Sequence, residues 1–138
     1  MLIFENSNKA KQIIRNINEL SNNPFIELWL KETYKVFCVI KYDNTKPICI
    51  ALLHKIDFDP LYIFDKPPLL LDYIYTFPEY RRQNYAYKLI INLIQKNKII
   101  GYCCNDESVK LFVKCGFSYH SDNDMVRFPP LKKVLVSV

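Results

Sequence analysis

The chain has 138 residues, of which 50% are hydrophobic and 24% charged. That is the length and balance of one ordinary globular domain, and it excludes a disordered chain. The net charge of +5 is carried partly by scattered lysines such as Lys9, Lys11, Lys88, Lys96, Lys98, Lys132 and Lys133; it lacks the concentrated stripe of a nucleic-acid binder and suits an anionic small molecule or a modestly acidic partner.

No apolar run approaches the roughly 20 residues of a membrane-spanning helix. The start MLIFENSNKAK has no basic segment, apolar stretch and cleavage site of a secretory signal. The expected compartment is therefore the cytosol, with the nucleus as the alternative. Five cysteines occur, Cys38, Cys49, Cys103, Cys104 and Cys115, with no CxxC pair, and His54 and His120 stand far apart. A zinc site needs about four ligands at short repeated spacings, so no metal is expected and buried reduced thiols are. The only glycines are Gly101 and Gly116, so any glycine-based motif must appear in disguise.

Along the chain, Met1–Glu5 reads as an edge strand. Ser7 can cap a helix with Ala10, Ile13, Ile14, Ile17 and Leu20 on one face, broken by Ser21-Asn22-Asn23. Pro24 suits the first turn of a second helix to about Thr33, with Phe25, Leu28 and Trp29 inward. Lys35–Lys41 and Ile48–His54 form the arms of a hairpin around Asp43-Asn44-Thr45-Lys46. Lys55–Pro68 reads as a loop, with a short extended piece around Leu61–Phe64. Leu69–Thr76 is nearly all apolar, which predicts a central strand buried on both faces.

Glu79–Asn97 turns helical, with Ala86, Leu89, Ile90, Leu93 and Ile94 on one side. Ile99–Cys104 is a further strand, and Asn105–Cys115 a short helix ended by Gly116. Phe117–His120 and Met125–Pro129 read as two strands around Ser121–Asp124, and Lys132–Val138 as a last strand or a tail. The order β-α-α-β-β-β-α-β-α-β-β predicts an α/β architecture in one domain over residues 1–138. Its mixed sheet carries about four helices on its faces, and the unit from Leu69 to Cys104 forms a parallel crossover.

The informative stretch is LLLDYIYTFPEYRRQNYAYKLI, Leu69–Ile90. A buried strand runs into a turn that opens a helix with basic and polar first residues. The free N–H groups and dipole of a helix start favour an anion, and Arg81 and Arg82 add charge suited to phosphate. An ordinary crossover helix with a solvated first turn satisfies the local pattern equally.

The stretch resembles the acetyl-CoA-binding motif of the GCN5-related N-acetyltransferase (GNAT) superfamily, in which a strand is followed by Pro-x-Tyr-Arg and Q/R-x-x-G-x-G/A. Pro78, Tyr80 and Arg81 match; Arg81 takes the Q/R place, Asn84 the first glycine place and Ala86 the Gly/Ala place. The resemblance implies that the backbone of Arg82, Gln83, Asn84, Tyr85, Ala86 and Tyr87 holds the pyrophosphate of coenzyme A. Asn84 departs from the pattern, but asparagine tolerates the left-handed conformation.

A second match, NDESVKLFVKCGF from Asn105 to Phe117, is similar to the family's N-x-x-A-x-x-L-Y-x-x-x-G-F. Asn105 can cap the helix, Ser108 is small, Gly116 can end it left-handed, and Phe117 folds back as the apolar contact. The resemblance adds Asn105, Ser108 and Phe112 to the cofactor contacts.

Transfer of acetyl from a thioester to an amine requires loss of the amine's proton, stabilisation of the carbonyl oxygen and departure of a thiolate. By resemblance, backbone N–H groups around Tyr75, Thr76 and Phe77 serve the pantetheine and carbonyl. Asp72 is the only carboxylate in Leu69–Phe77 and the candidate base; the other reading pairs it structurally with a Lys or Arg or with backbone. Relatives use a tyrosine as acid where this chain has Phe112. Tyr73, Tyr75, Tyr119, Cys103 and Cys104 are substitutes that read better as packing residues.

Acetyl-CoA is thus the expected co-substrate, with a small or protein primary amine accepting directly in a ternary complex. Asp57, Asp59, Asp65, Asp122 and Asp124 on two loops would favour a cationic acceptor. No membrane or nucleic-acid partner is expected, and a homodimer is left open. The alternative is a non-catalytic GNAT-like module that binds coenzyme A or a protein partner.

Overall fold

The computed structural model of the protein describes residues 2–5, 7–31, 36–57, 65–103, 106–124 and 131–137. In chain order they form β1 (Leu2–Glu5), α1 (Ser7–Arg15), α2 (Pro24–Lys31), β2 (Val36–Asp43), β3 (Lys46–Lys55), β4 (Leu69–Thr76), α3 (Tyr85–Ile94), β5 (Ile99–Cys103), α4 (Asp106–Lys114), β6 (Ser118–Asp124) and β7 (Leu131–Val136). Short 3-10 turns cover Asn18–Leu20 and Pro78–Tyr80. The order of strands and helices is the expected one, and the architecture is mixed α and β.

The chain divides into two compact units, Met1–His54 with Asp72–Ala86, and Lys55–Leu71 with Tyr87–Val138. In the first, the strand order is β1-β2-β3-β4, with β1, β2 and β3 antiparallel. The β2–β3 hairpin closes over Asn44-Thr45, where Asp43 pairs with Lys46 and Asn44 takes φ +56°. Asparagine bears that conformation at low cost, which is why the turn falls there.

One face of this sheet contributes Val36, Cys38, Ile40, Ile50, Leu52 and Tyr75 to a core completed by Ala10, Ile14, Ile17, Leu20, Ile26 and Trp29. The first helix ends at Arg15, earlier than its apolar spacing predicts. Asn16 and Ile17 bond three residues back, to the carbonyls of Ile13 and Ile14, and the following 3-10 turn keeps Leu20 buried. Pro24 starts α2 as expected, and Asn23 caps it, its Oδ1 accepting from the Ile26 N–H at 3.3 Å. Ile26 and Trp29 face inward, whereas Leu28 is 48% exposed, contrary to expectation. A three-residue step keeps Ile26 and Trp29 on one side, and Leu28 falls off that stripe. The Trp29 indole N–H donates to the Leu53 carbonyl at 3.4 Å.

In the second unit the order is β4-β5-β7-β6. Leu69–Leu71 pair in parallel with Ile99–Gly101, as a strand–helix–strand crossover requires. β7 is antiparallel to both β5 and β6. The last segment is thus a strand between two others rather than a tail. β6 runs through Ser121–Asp124, where a turn was expected; the strand expected at Met125–Pro129 and the extended piece at Leu61–Phe64 lie outside the described residues. Ser137 fastens this sheet: its N–H donates to the Ile99 carbonyl at 2.9 Å and its hydroxyl accepts from the Ile99 N–H at 2.7 Å.

The segment expected to be helical from Glu79 to Asn97 is helical only over Tyr85–Ile94. Arg82 and Asn84 at φ +65° and +63° interrupt it at the front. At the back the Asn97 N–H and side-chain amide both donate to the Leu93 carbonyl, closing the last turn. Nor is β4 buried on both faces. Leu71 and Tyr75 are buried, while Leu69, Leu70, Asp72, Tyr73, Ile74 and Thr76 stay half-buried.

The end of α4 follows its sequence signature closely. Phe117 N–H donates to the Phe112 carbonyl at 3.0 Å and Gly116 N–H to the Val113 carbonyl at 2.9 Å, with Gly116 at φ +92°. The rings of Phe112 and Phe117 meet at 4.7 Å, the apolar contact of a Schellman ending. Phe112 also packs against β5: a Cβ on Gly101 would sit 2.9 Å from its Cε1 and Cζ. Gly101→Ala should therefore destabilise the protein by about 1–3 kcal/mol in denaturant unfolding, and by less when Phe112→Leu is added.

Candidate active site

The first unit brings together His54, Asp72, Tyr75, Thr76, Phe77 and Arg81–Ala86. The geometry begins with the end of β4. Phe77 N–H donates to the Ile48 carbonyl of β3 at 2.9 Å. The Leu69 N–H, eight residues earlier on the strand, is instead taken by the Lys98 carbonyl just before β5, so the regular alternation of amide directions along β4 breaks between Leu69 and Phe77. Of the three expected backbone donors, Phe77 has its amide taken by the Ile48 carbonyl. The Thr76 hydroxyl lies 3.4 Å from the Cys49 thiol.

After Thr76 the strand cannot continue, because Pro78 has no N–H to pair. The chain makes a 3-10 turn, with Tyr80 N–H on the Phe77 carbonyl and Arg81 N–H on the Pro78 carbonyl. Arg81 then reaches back. Its Nε donates to the Thr76 carbonyl at 2.8 Å, its Nη2 to Glu19 Oε2 at 2.6 Å, and its guanidinium lies 5.4 Å from the centre of the Tyr75 ring. The side chains of Arg81 and Glu19 are 44% and 51% exposed, so the ion pair itself is worth less than about 1 kcal/mol. Its role is geometric: it ties the turn to the end of the strand. The Glu19 hydrogen bond raises the Arg81 pKa further. Burial, and then the Glu19 carboxylate, push the Tyr75 phenol upward, so it stays protonated at neutral pH. Glu19 carried no signal in the sequence, because its partner is 62 positions away.

Beyond Arg81 two non-glycine residues, Arg82 and Asn84, take positive φ on either side of Gln83. The first turn of α3 follows at once, with no acidic residue in it. Left-handed residues in succession turn backbone N–H groups toward one side, and a helix start adds its unpaired amides and positive dipole end. The Tyr80 and Tyr85 rings meet edge to face at 6.0 Å across this turn. Lys41 of β2 places its ammonium 5.9 Å from the Tyr85 ring centre, a further cation near the helix start that the sequence reading did not find. Gln83 folds back on the Glu79 carbonyl at 3.4 Å. Ala86 is half-buried.

Tyr87, Ser108 and Phe112 belong to the second unit. Lys114 covers the Tyr87 ring at 4.8 Å, Ser108 is half-buried, and Phe112 is 4% exposed between Gly101 and Phe117. Asn105 lies outside the described residues. The Asp72 carboxylate accepts from Nδ1 of His54, at the end of β3. Their side chains are 14% and 24% exposed respectively. Among the described residues there is no group of three or more His, Cys, Asp or Glu placed to hold a metal, and no helix long and apolar enough to cross a membrane.

A mixed sheet of this order, with a phosphate-suited turn between β4 and α3, defines a class. The model of the acetyltransferase (GNAT) family matches residues 5–117, and the chain belongs to that family. No curated protein sequence matches it. Among solved structures, a Bacillus subtilis acetyltransferase in complex with CoA is similar at TM-score 0.66 and 14% identity, covering 98% of this chain and 94% of that one. The aminoglycoside N-acetyltransferase AAC(6')-Iy in complex with CoA gives 0.65 and 16%, covering 92% and 98%. Arabidopsis thaliana NAA60 in complex with acetyl-CoA gives 0.63 and 11%, covering 99% and 98%. At these identities the likeness establishes the shared fold.

Two outcomes test this geometry. Arg82→Val should cost about 1–2 kcal/mol in urea unfolding, whereas Arg82→Gly should stay within about 1 kcal/mol of the parent, because only glycine bears the left-handed conformation freely. The buried thiols of Cys49 and Cys115 are pushed up to about 11 by desolvation. Both should alkylate far more slowly at pH 7.5 than an exposed thiol and speed up toward pH 11, as peptide mapping after iodoacetamide treatment would show.

Proposed function

We propose that the protein transfers an acetyl group from acetyl-CoA to a primary amine, of a small molecule or a protein, directly within a ternary complex. The observation that carries the reading is the pair of left-handed residues, Arg82 and Asn84, leading into the unpaired amides of α3. A turn of this kind, built without one glycine, turns backbone amides to one side and suits a diphosphate. In this reading the amides of Arg82, Gln83, Asn84, Tyr85, Ala86 and Tyr87 hold the pyrophosphate, and Arg82 adds charge. Arg81 fixes the turn through Thr76 and Glu19.

The backbone amides of Tyr75 and Thr76 serve the pantetheine arm and the carbonyl oxygen as it gains charge, that of Phe77 being taken by Ile48. Asp72, with His54 on its carboxylate, supplies the basic centre. A thiol titrates near 8.5, so the CoA thiolate is a tolerable leaving group without a dedicated acid. Phe112 carries no hydroxyl, and its burial against Gly101 and Phe117 favours the second reading, a coenzyme A-binding module without turnover.

Calorimetry with acetyl-CoA and with CoA tests the cofactor site. Wild type should bind both, and Ala86→Trp should weaken binding by more than about tenfold, equivalent to about 1.4 kcal/mol, with thermal unfolding unchanged. Equal binding by wild type and Ala86→Trp would remove the diphosphate from this turn. Thioester consumption across a panel of amines then separates an enzyme from a binding module.

A further inference from the structure

The proton-accepting centre deserves a closer assignment, and the deduction rests on the acetyl-transfer reading above. Asp72 and His54 are 18 residues apart in sequence and adjoin where β3 ends and β4 runs through the first unit. Both side chains are half-buried, so the carboxylate and imidazole are partly withdrawn from water and oriented by each other. A carboxylate that accepts from Nδ1–H fixes the imidazole tautomer, and in the neutral ring this leaves Nε2 as the basic nitrogen. Along β4, Asp72 precedes Ile74 by two residues and Thr76 by four. That places its Cα about 7 Å and about 13 Å from theirs along the strand. A carboxylate near pH 4 is poorly matched to an amine's proton at neutral pH; an imidazole near 6.5 is well matched.

We propose that His54 is the base of the transfer and that Asp72 is its positioning residue. The neutral amine nitrogen forms the N–C bond to the thioester carbon, and the C–S bond breaks with its electron pair leaving on sulfur. The proton released by nitrogen passes to Nε2 of His54, while Asp72 holds the imidazolium through Nδ1. The CoA thiolate takes a proton from solvent, and His54 returns its own to solvent.

The chain has two histidines, so His54→Gln assigns the His54 imidazole in protein labelled with nitrogen-15 histidine. In wild type, acetyl-CoA should shift the His54 resonances, and Asp72→Asn should abolish the Nδ1-protonated tautomer. With an amine that the panel shows to be accepted, His54→Gln should lower kcat by about 10²–10⁴-fold while the acetyl-CoA Kd stays within about twofold. Asp72→Glu should retain more kcat than Asp72→Asn. His54 resonances unmoved by bound acetyl-CoA, or a His54→Gln kcat within about threefold of wild type, would overturn the proposal. So would loss of kcat and Kd in parallel. The wild-type resonance experiment decides the matter even if a variant fails to fold. Absence of acetyl-CoA binding by wild type in calorimetry is a different result and overturns the acetyl-transfer reading itself.

Discussion

One strand distributes its backbone hydrogen bonds in a way that the candidate site depends on. At its start, β4 pairs with β5 through Leu69–Leu71, and the Leu69 N–H is taken by the Lys98 carbonyl. Past its end, the Phe77 N–H is taken by Ile48 on the other neighbour. Pro78 then removes the next donor, so the chain must leave the sheet. The Arg81 side chain closes the exit by gripping the last strand carbonyl, that of Thr76. The amides of the following turn are thereby fixed to the strand that carries Asp72, Ile74 and Thr76.

Much of the fold was legible because hydrophobic period and turn chemistry agreed. Leu69–Thr76 is a strand with the boundaries its apolar run predicts. The hairpin over Asn44-Thr45 and the Phe112–Gly116–Phe117 ending of α4 follow directly from residues whose conformational needs are narrow. The misreadings have tertiary causes. The apolar positions of α1 continue past Arg15, but Ile17 and Leu20 reach the same core from a 3-10 turn. Leu28 was assigned inward on hydrophobicity alone, whereas helix phase gives that place to Ile26. A polar run at Ser121–Asp124 read as a turn, yet pairing with β7 keeps it extended.

At the site, the sequence carried the local features and hid the long-range ones. Asn84 in a glycine place signalled a left-handed residue, and it is one. Arg82 gave no such signal, since arginine has no special tolerance for positive φ. Glu19, Lys41 and His54 reach the site only through folding, across separations that no spacing rule covers. Asp72 was singled out as the sole acid in an apolar strand, with a lysine, an arginine or backbone as the expected structural partner. A histidine that looked too isolated to matter for a metal proves to be its neighbour.

The contact of Phe112 with Gly101 bears on how this chain could change. Two carbons of the ring, Cε1 and Cζ, already occupy the space a methyl on Gly101 would need. A phenol at position 112 would add its oxygen to Cζ, one of those two carbons, on a side chain that is only 4% exposed. Burying an unpaired hydroxyl costs about 1–3 kcal/mol, a sizeable share of a small protein's stability. A Phe112→Tyr substitution therefore has to find a partner or an outlet for its oxygen. Whatever chemistry this protein carries out, its interior has been tailored to a benzene ring, and that commitment is structural before it is functional.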